Sequence, residues 1–200
     1  MGKVIVEQIV SADGYAEDAE GGIGFFVNAR QLNAADTGQL QMLSGSSAIV
    51  FGAKTYQMFA SYWPLADPGA EPVAAPIMRL PKFVVSSTLD SAPWGPNDSA
   101  EILRGDPVAA VRLLRHRFQD NLVIWGSLTL TDALLRAGEV DALRLRVLPL
   151  LLGAGRSFAP SNLGERPLSL VAARSFPEGF VILEYAVARS TALPKHHPGA

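Results

Sequence analysis

Residues 106–138, DPVAAVRLLRHRFQDNLVIWGSLTLTDALLRAG, decide the fold. Asp106 followed by Pro107 predicts the start of a helix, with the aspartate as N-cap and the proline at the first helical position, where its missing N–H costs nothing. The apolar stripe Val108, Val111, Leu114 and Phe118 gives that helix one buried face. The run 122–125 is short, apolar and stopped by Gly126, the pattern of a buried strand. Ser127 is placed to cap a second helix running through Leu135, which Gly138 ends. Helix, strand and helix with such short connections make a unit of a parallel sheet covered by helices.

Working outward, residues 4–10 alternate around β-branched side chains and predict a first strand, closed by the turn Ser11-Ala12-Asp13-Gly14. Residues 17–24 predict an acidic, glycine-rich loop, and residues 30–43 a helix. Strands are expected at 48–51 and 82–86, with a short helix at 55–59. The stretch 63–76 carries four prolines and reads as surface loop, and 93–96 as turn. Beyond residue 140 strands follow strands: 143–152, then 168–174 and 180–188, turned at Pro177-Glu178-Gly179. The expected fold class is therefore α/β, with a mostly parallel central sheet, antiparallel strands at the C-terminal end and helices on both faces. One domain over residues 1–189 and a disordered tail over 190–200 complete the expectation.

Hydrophobic residues make up 48% of the 200-residue chain, enough for a continuous core, and the formal net charge is -2 with no block of like sign. Nothing electrostatic therefore points to nucleic acid or to an anionic membrane. The absence of cysteine excludes disulfides, thiol catalysis and a cysteine-ligated zinc, and no metal site is expected. The apolar runs fall far short of the ~20 residues of a membrane helix. A cytoplasmic protein acting on a small molecule is the expectation.

In an open parallel sheet, ligands bind at the carboxyl ends of the strands. Four such ends carry small or hydroxyl residues: Ser11-Ala12-Asp13-Gly14, Gly52-Ala53-Lys54-Thr55, Ser86-Ser87-Thr88 and Gly126-Ser127-Leu128-Thr129. Two of them open a helix, whose free N–H groups and partial positive charge suit phosphate. Glycines at 52 and 126 allow close approach of a pyrophosphate. Neither a Rossmann fingerprint nor a P-loop occurs.

The segments Ser11-Ala12-Asp13-Gly14-Tyr15, Val50-Phe51-Gly52-Ala53-Lys54-Thr55-Tyr56, 81–89, Ile124-Trp125-Gly126-Ser127 and 138–155 resemble, in order and spacing, those of the dihydrofolate-reductase-like superfamily. The last of them is similar to the riboflavin-biosynthesis reductase domain of the bifunctional deaminase-reductase family. The resemblance implies a three-layer dihydrofolate-reductase-like fold, NADPH as cofactor and a homodimer. It implies cofactor phosphates at Gly52, Lys54, Thr55, Ser86, Ser87 and Thr88. Gly126, Ser127, Leu128 and Thr129 would lie along the pyrophosphate and nicotinamide half, and Ile9 and Ala12 would line the nicotinamide pocket. The family's arginine after the first glycine is Ala53 here, which leaves Lys54 as the cation near the 2′-phosphate.

Hydride transfer also requires a proton donor. Folate reductases have a buried carboxylate on the first helix, and that resemblance implies the role for Asp36, the one acid between Gly21 and Ala66; Asp13 is the second catalytic candidate. Arg30, Arg79 and Arg156 are the candidates for a substrate phosphate. The leading expectation is a NADPH-dependent reductase of the riboflavin type, with 5-amino-6-(5-phosphoribosylamino)uracil as family substrate. The alternatives are dihydrofolate reduction and a non-catalytic nucleotide-binding dimer.

Overall fold

The computed structural model of the chain describes residues 2–25 and 37–188. In chain order its elements are β1 Val4–Ser11, β2 Tyr15–Glu17, α1 Thr37–Ser44, β3 Ser46–Gly52, α2 Ala53–Tyr62, α3 Ala74–Arg79, β4 Lys82–Val85, β5 Pro93–Trp94, β6 Asp98–Ser99, β7 Glu101–Leu103, α4 Pro107–Arg117, β8 Asn121–Trp125, α5 Leu128–Ala137, β9 Ala142–Leu148, β10 Arg156–Ser157, β11 Leu168–Ser175 and β12 Val181–Val187. The main sheet has eight strands in the order β11-β12-β9-β1-β8-β3-β4-β7. From β9 to β7 every pairing is parallel, and β12 and β11 add the antiparallel end.

The period of two along the strands sorts the core into two layers. Val4, Val6, Ala48, Val50, Leu122 and Ile124 face α4 and α5, where Val111, Leu114, Leu130 and Leu134 meet them. Their neighbours Ile49, Phe51, Val123 and Trp125 face the other way, toward Leu43 of α1, Tyr56 of α2 and Ile77 of α3. Helices thus cover both faces.

Asp106 caps α4 as its type predicts: its Oδ2 accepts from the Ala109 N–H at 2.7 Å. At the end of α5, Gly138 sits in the left-handed region at φ 70° and its N–H reaches the Leu134 and Leu135 carbonyls. The proline-rich stretch departs from the expectation of surface loop. Trp63, Val73, Ala74 and Ile77 are buried, and Ala74–Arg79 is the helix α3. Pro76 is tolerated because it lies in the first turn, where an N–H has no intrahelical acceptor. The parallel edge strand β7 went unread, since three residues paired on one side carry no period to detect. Strand β9 stops at Leu148 instead of 152, one residue before Pro149. Of the helix expected over 30–43, residues 37–43 fall in α1; the rest of it, and the tail expected from 190, lie outside the described residues.

Candidate functional site

The carboxyl ends of β3 and β8 lie side by side, and each turns directly into a helix. Gly126 and Ser127 both adopt left-handed φ, 59° each, which swings the chain from β8 into α5. That conformation is costly for serine, and the surroundings hold it in place. The Ser127 N–H donates to Thr55 Oγ1 at 2.9 Å, and Ser127 Oγ donates to the Trp125 carbonyl at 3.1 Å. The Gly52 N–H donates to Ser127 Oγ at 2.8 Å. Ser127 therefore does not cap α5 with its side chain, as its residue type suggested, because its hydroxyl is engaged across the groove. Behind the turn, Gln8 Nε2 and Thr131 Oγ1 both donate to the Gly126 carbonyl, at 2.7 and 3.1 Å. The N-termini of α2 and α5 are stapled together by side chains that belong to the helix starts themselves. Neither helix has a side-chain cap or an acid in its first turn.

These ends open onto a cavity of about 180 Å³. Of the residues singled out from the sequence, Ile9, Gly52, Lys54, Thr55, Gly126, Ser127, Leu128, Thr129 and Arg156 line it. An added Cβ at Gly126 would stand 3.2 Å from Thr55 Cγ2, so the glycine keeps this turn close to α2. Two cations flank the mouth. Lys54 Nζ pairs with Glu17 at 2.7 Å, and Arg156 pairs with Asp132 at 3.0 Å while also touching Thr129 Oγ1.

The remaining candidates lie elsewhere. Ser86 is at the same sheet edge, one residue past the Gly52–Val85 pairing, but Ser86, Ser87 and Thr88 do not line the cavity. Ser86 Oγ accepts from the Thr88 and Leu89 N–H groups and shapes its own turn. Ala12 is exposed, and its N–H donates to the Leu150 carbonyl. Asp13 is exposed and outside the cavity. Its carboxylate accepts from Ser11 Oγ at 2.6 Å and from the Gly153 and Leu152 N–H groups at 2.8 and 3.2 Å. The Ser11 hydroxyl foremost, then those amides, holds its pKa below the ordinary 3.8. Asp13 thus clasps its loop away from the cavity, where a catalytic carboxylate was expected. Arg79 is exposed at the end of α3, just before β4 begins, hence at the amino edge of the sheet, and it lines no part of this cavity. Asp36 and Arg30 lie outside the described residues.

The inner wall was not anticipated. Glu7, Gln8, Glu17, Ile23, Met58 and Trp125 also line the cavity, with Phe59 edge-on to Trp125 at 5.4 Å. Glu7 and the arginines of β9, Arg144 and Arg146, are almost wholly buried. Arg144 lies 2.6 Å from Glu7 Oε1, which also accepts from Gln39 at 3.2 Å. The available signal was a glutamate in the middle of an apolar strand facing arginines on another.

A family model described as the RibD C-terminal domain matches residues 2–182. The chain belongs to the RibD C-terminal domain family. An uncharacterised protein of Bacillus subtilis, YyaP, is 23% identical over 185 residues, 92% of this chain and 94% of its own. A putative riboflavin biosynthesis protein from Shewanella has a similar solved structure, with TM-score 0.74 at 21% identity over 94% of this chain and 99% of that one. Dihydrofolate reductase from Enterococcus faecalis, solved with NADP(H), gives TM-score 0.59 at 11% identity over 93% and 96%. The three-layer, dihydrofolate-reductase-like fold implied by the resemblance of the five segments is the fold observed. No helix among the described residues is long and apolar enough to cross a membrane.

Proposed function

We propose that this chain is a NADPH-dependent reductase of the riboflavin-biosynthesis type. It delivers hydride to a pyrimidine- or pteridine-like ring such as that of 5-amino-6-(5-phosphoribosylamino)uracil. The observation that carries the reading is the pair of helix N-termini, α2 and α5, stapled at one cavity through Ser127 and Thr55. Uncapped first-turn N–H groups from two helices, beside Lys54, suit a diphosphate bridge. Gly126 keeps the two helix starts close, since a Cβ there would stand 3.2 Å from Thr55 Cγ2.

On this reading Gly52, Lys54, Thr55 and the turn 126–129 hold the phosphates, and Ile9 lies against the nicotinamide. Ser86, Ser87 and Thr88, one strand further along the edge, take the adenosine end. Bound there, the reduced cofactor supplies the hydride. The protein's own part is positional. The sheet floor at Ile9 and Trp125 and the wall at Met58 and Phe59 offer flat apolar surface to a ring. Arg156 is the cation for a substrate phosphate. The protein works in the cytoplasm, takes a small-molecule substrate and not nucleic acid, and pairs as a homodimer through β11. Leu168, Leu170 and Val171 are exposed on this edge strand. Sedimentation equilibrium finding a monomer would remove the dimer.

The test of function is calorimetric titration with NADPH and NADH, followed by reductase assays on dihydrofolate and the ribosylaminouracil phosphate. Binding at about micromolar, or ~8 kcal/mol, with turnover of the second substrate is expected. No binding of either cofactor would end the enzyme reading.

A further inference from the structure

The cavity, at about 180 Å³, is smaller than the ~300–1,000 Å³ that small-molecule sites usually occupy, and one wall narrows it. Glu17 and Ile23 belong to that wall. The segment 15–24 is fixed at one end, where β2 pairs with β10 and Gly155 packs so tightly that a Cβ there would stand 2.0 Å from the Glu17 carbonyl oxygen. Toward α2, the hydrogen bonds that fasten it among the described residues come from one atom. Lys54 Nζ donates to Glu17 Oε1 at 2.7 Å and to the Gly21 carbonyl at 3.0 Å.

A lysine in the first turn of α2 opposes the helix dipole, which favours an anion there. Glu17 supplies that anion from outside the helix, and its side chain is mostly buried while that of Lys54 is 64% exposed. The carboxylate thus already engages the one lysine that, among the described residues, lines the cavity.

We propose that Glu17 determines how strongly the site takes anionic ligands. It is a built-in stand-in for phosphate that holds Lys54, and with it the 17–24 segment, until a ligand phosphate displaces it. The inference rests on the reading of this cavity as a phosphate site. Anion affinity is then the difference between the attraction of Lys54 for phosphate and its attraction for Glu17. Removing the charge of Glu17 raises that affinity, and only through Lys54.

The experiment is a double-mutant cycle read by calorimetric binding, without turnover, using inorganic pyrophosphate and NADPH as probes on the full chain. Glu17→Gln is expected to bind both about three- to fivefold more tightly than wild type, the scale of an exposed ion pair. Lys54→Gln is expected to bind more weakly, and the double variant to match Lys54→Gln. If Glu17→Gln binds no more tightly, or if its gain persists without Lys54, the inference is overturned while the phosphate site stands. If no variant binds either probe, both fall together.

Discussion

Thr55→Val tests whether the staple between the two helices holds the site together. Valine keeps the shape of threonine and its contact with Gly126, but removes the oxygen that accepts the Ser127 N–H at 2.9 Å. Thr55 and Ser127 are both buried, at 8% and 9% exposure, so water does not readily replace the lost acceptor. A buried N–H left without a partner costs about 1–3 kcal/mol. Ser127 adds to the sensitivity, because its left-handed backbone persists only while its bonds outweigh the cost of about 1–2 kcal/mol. Taking ~2 kcal/mol, and ~2–4 °C of melting temperature per kcal/mol for a chain of this size, the variant should melt ~4–8 °C below wild type. In urea the midpoint should fall with an unchanged slope, because the surface exposed on unfolding is the same. Calorimetric titration should then show NADPH binding weakened by about tenfold, the equivalent of ~1.4 kcal/mol, since the two helix starts no longer hold a fixed spacing. A variant that melts within ~1 °C of wild type and binds NADPH equally well would show that the hydrogen bond neither stabilises the turn nor organises the site.

Other outcomes follow from the same geometry. Gly126→Ala forces a side chain into a backbone with φ 59° and 3.2 Å from Thr55 Cγ2, so urea unfolding should show a loss of about 1–3 kcal/mol together with weakened NADPH binding; a neutral result would mean the turn can relax. Glu7→Gln removes the charge facing the buried Arg144, and the loss should be about 3 kcal/mol, the lower end for a broken buried pair, because Glu184 also lies 3.4 Å from Arg144 Nε; replacing Glu7 and Arg144 together by Leu and Met should recover most of it. Asp13 and Asp98 have folded pKa values held below the ordinary 3.8, Asp13 chiefly by the Ser11 hydroxyl and Asp98 chiefly by Lys82. Below that value the unfolded chain takes up protons first, so their stabilisation is complete above it and is lost as pH falls through the depressed values. Asp13→Asn and Asp98→Asn should each flatten the acid limb of stability against pH, and an unchanged limb would mean these carboxylates are not held.

The features that could be read from the sequence were those whose cause is local. Asp106 before Pro107 needs only the N–H groups of the next turn to become a cap, and it becomes one. Ser127 has the same credentials. Its role was set instead by Gly52 and Thr55, more than 70 residues away, and by a left-handed backbone that no neighbour in sequence announces. The same division explains the site. The glycine and hydroxyl residues at the strand ends are a local signature of a strand turning into a helix, and Gly52, Thr55, Gly126 and Ser127 duly meet at one cavity. The alternation Leu143-Arg144-Leu145-Arg146 has the form of a strand with one solvated face, yet both arginines are buried. What reverses their environment is register. In the pairing of β1 with β9, Glu7 lies opposite Arg144, 137 residues apart, so each charge removes the need for water at the other. A charge inside an apolar strand therefore reads as an error until the neighbouring strand is known. Here a buried carboxylate lining a cavity is the result, and it places at the floor of the site a polar group that composition and period assign to the surface.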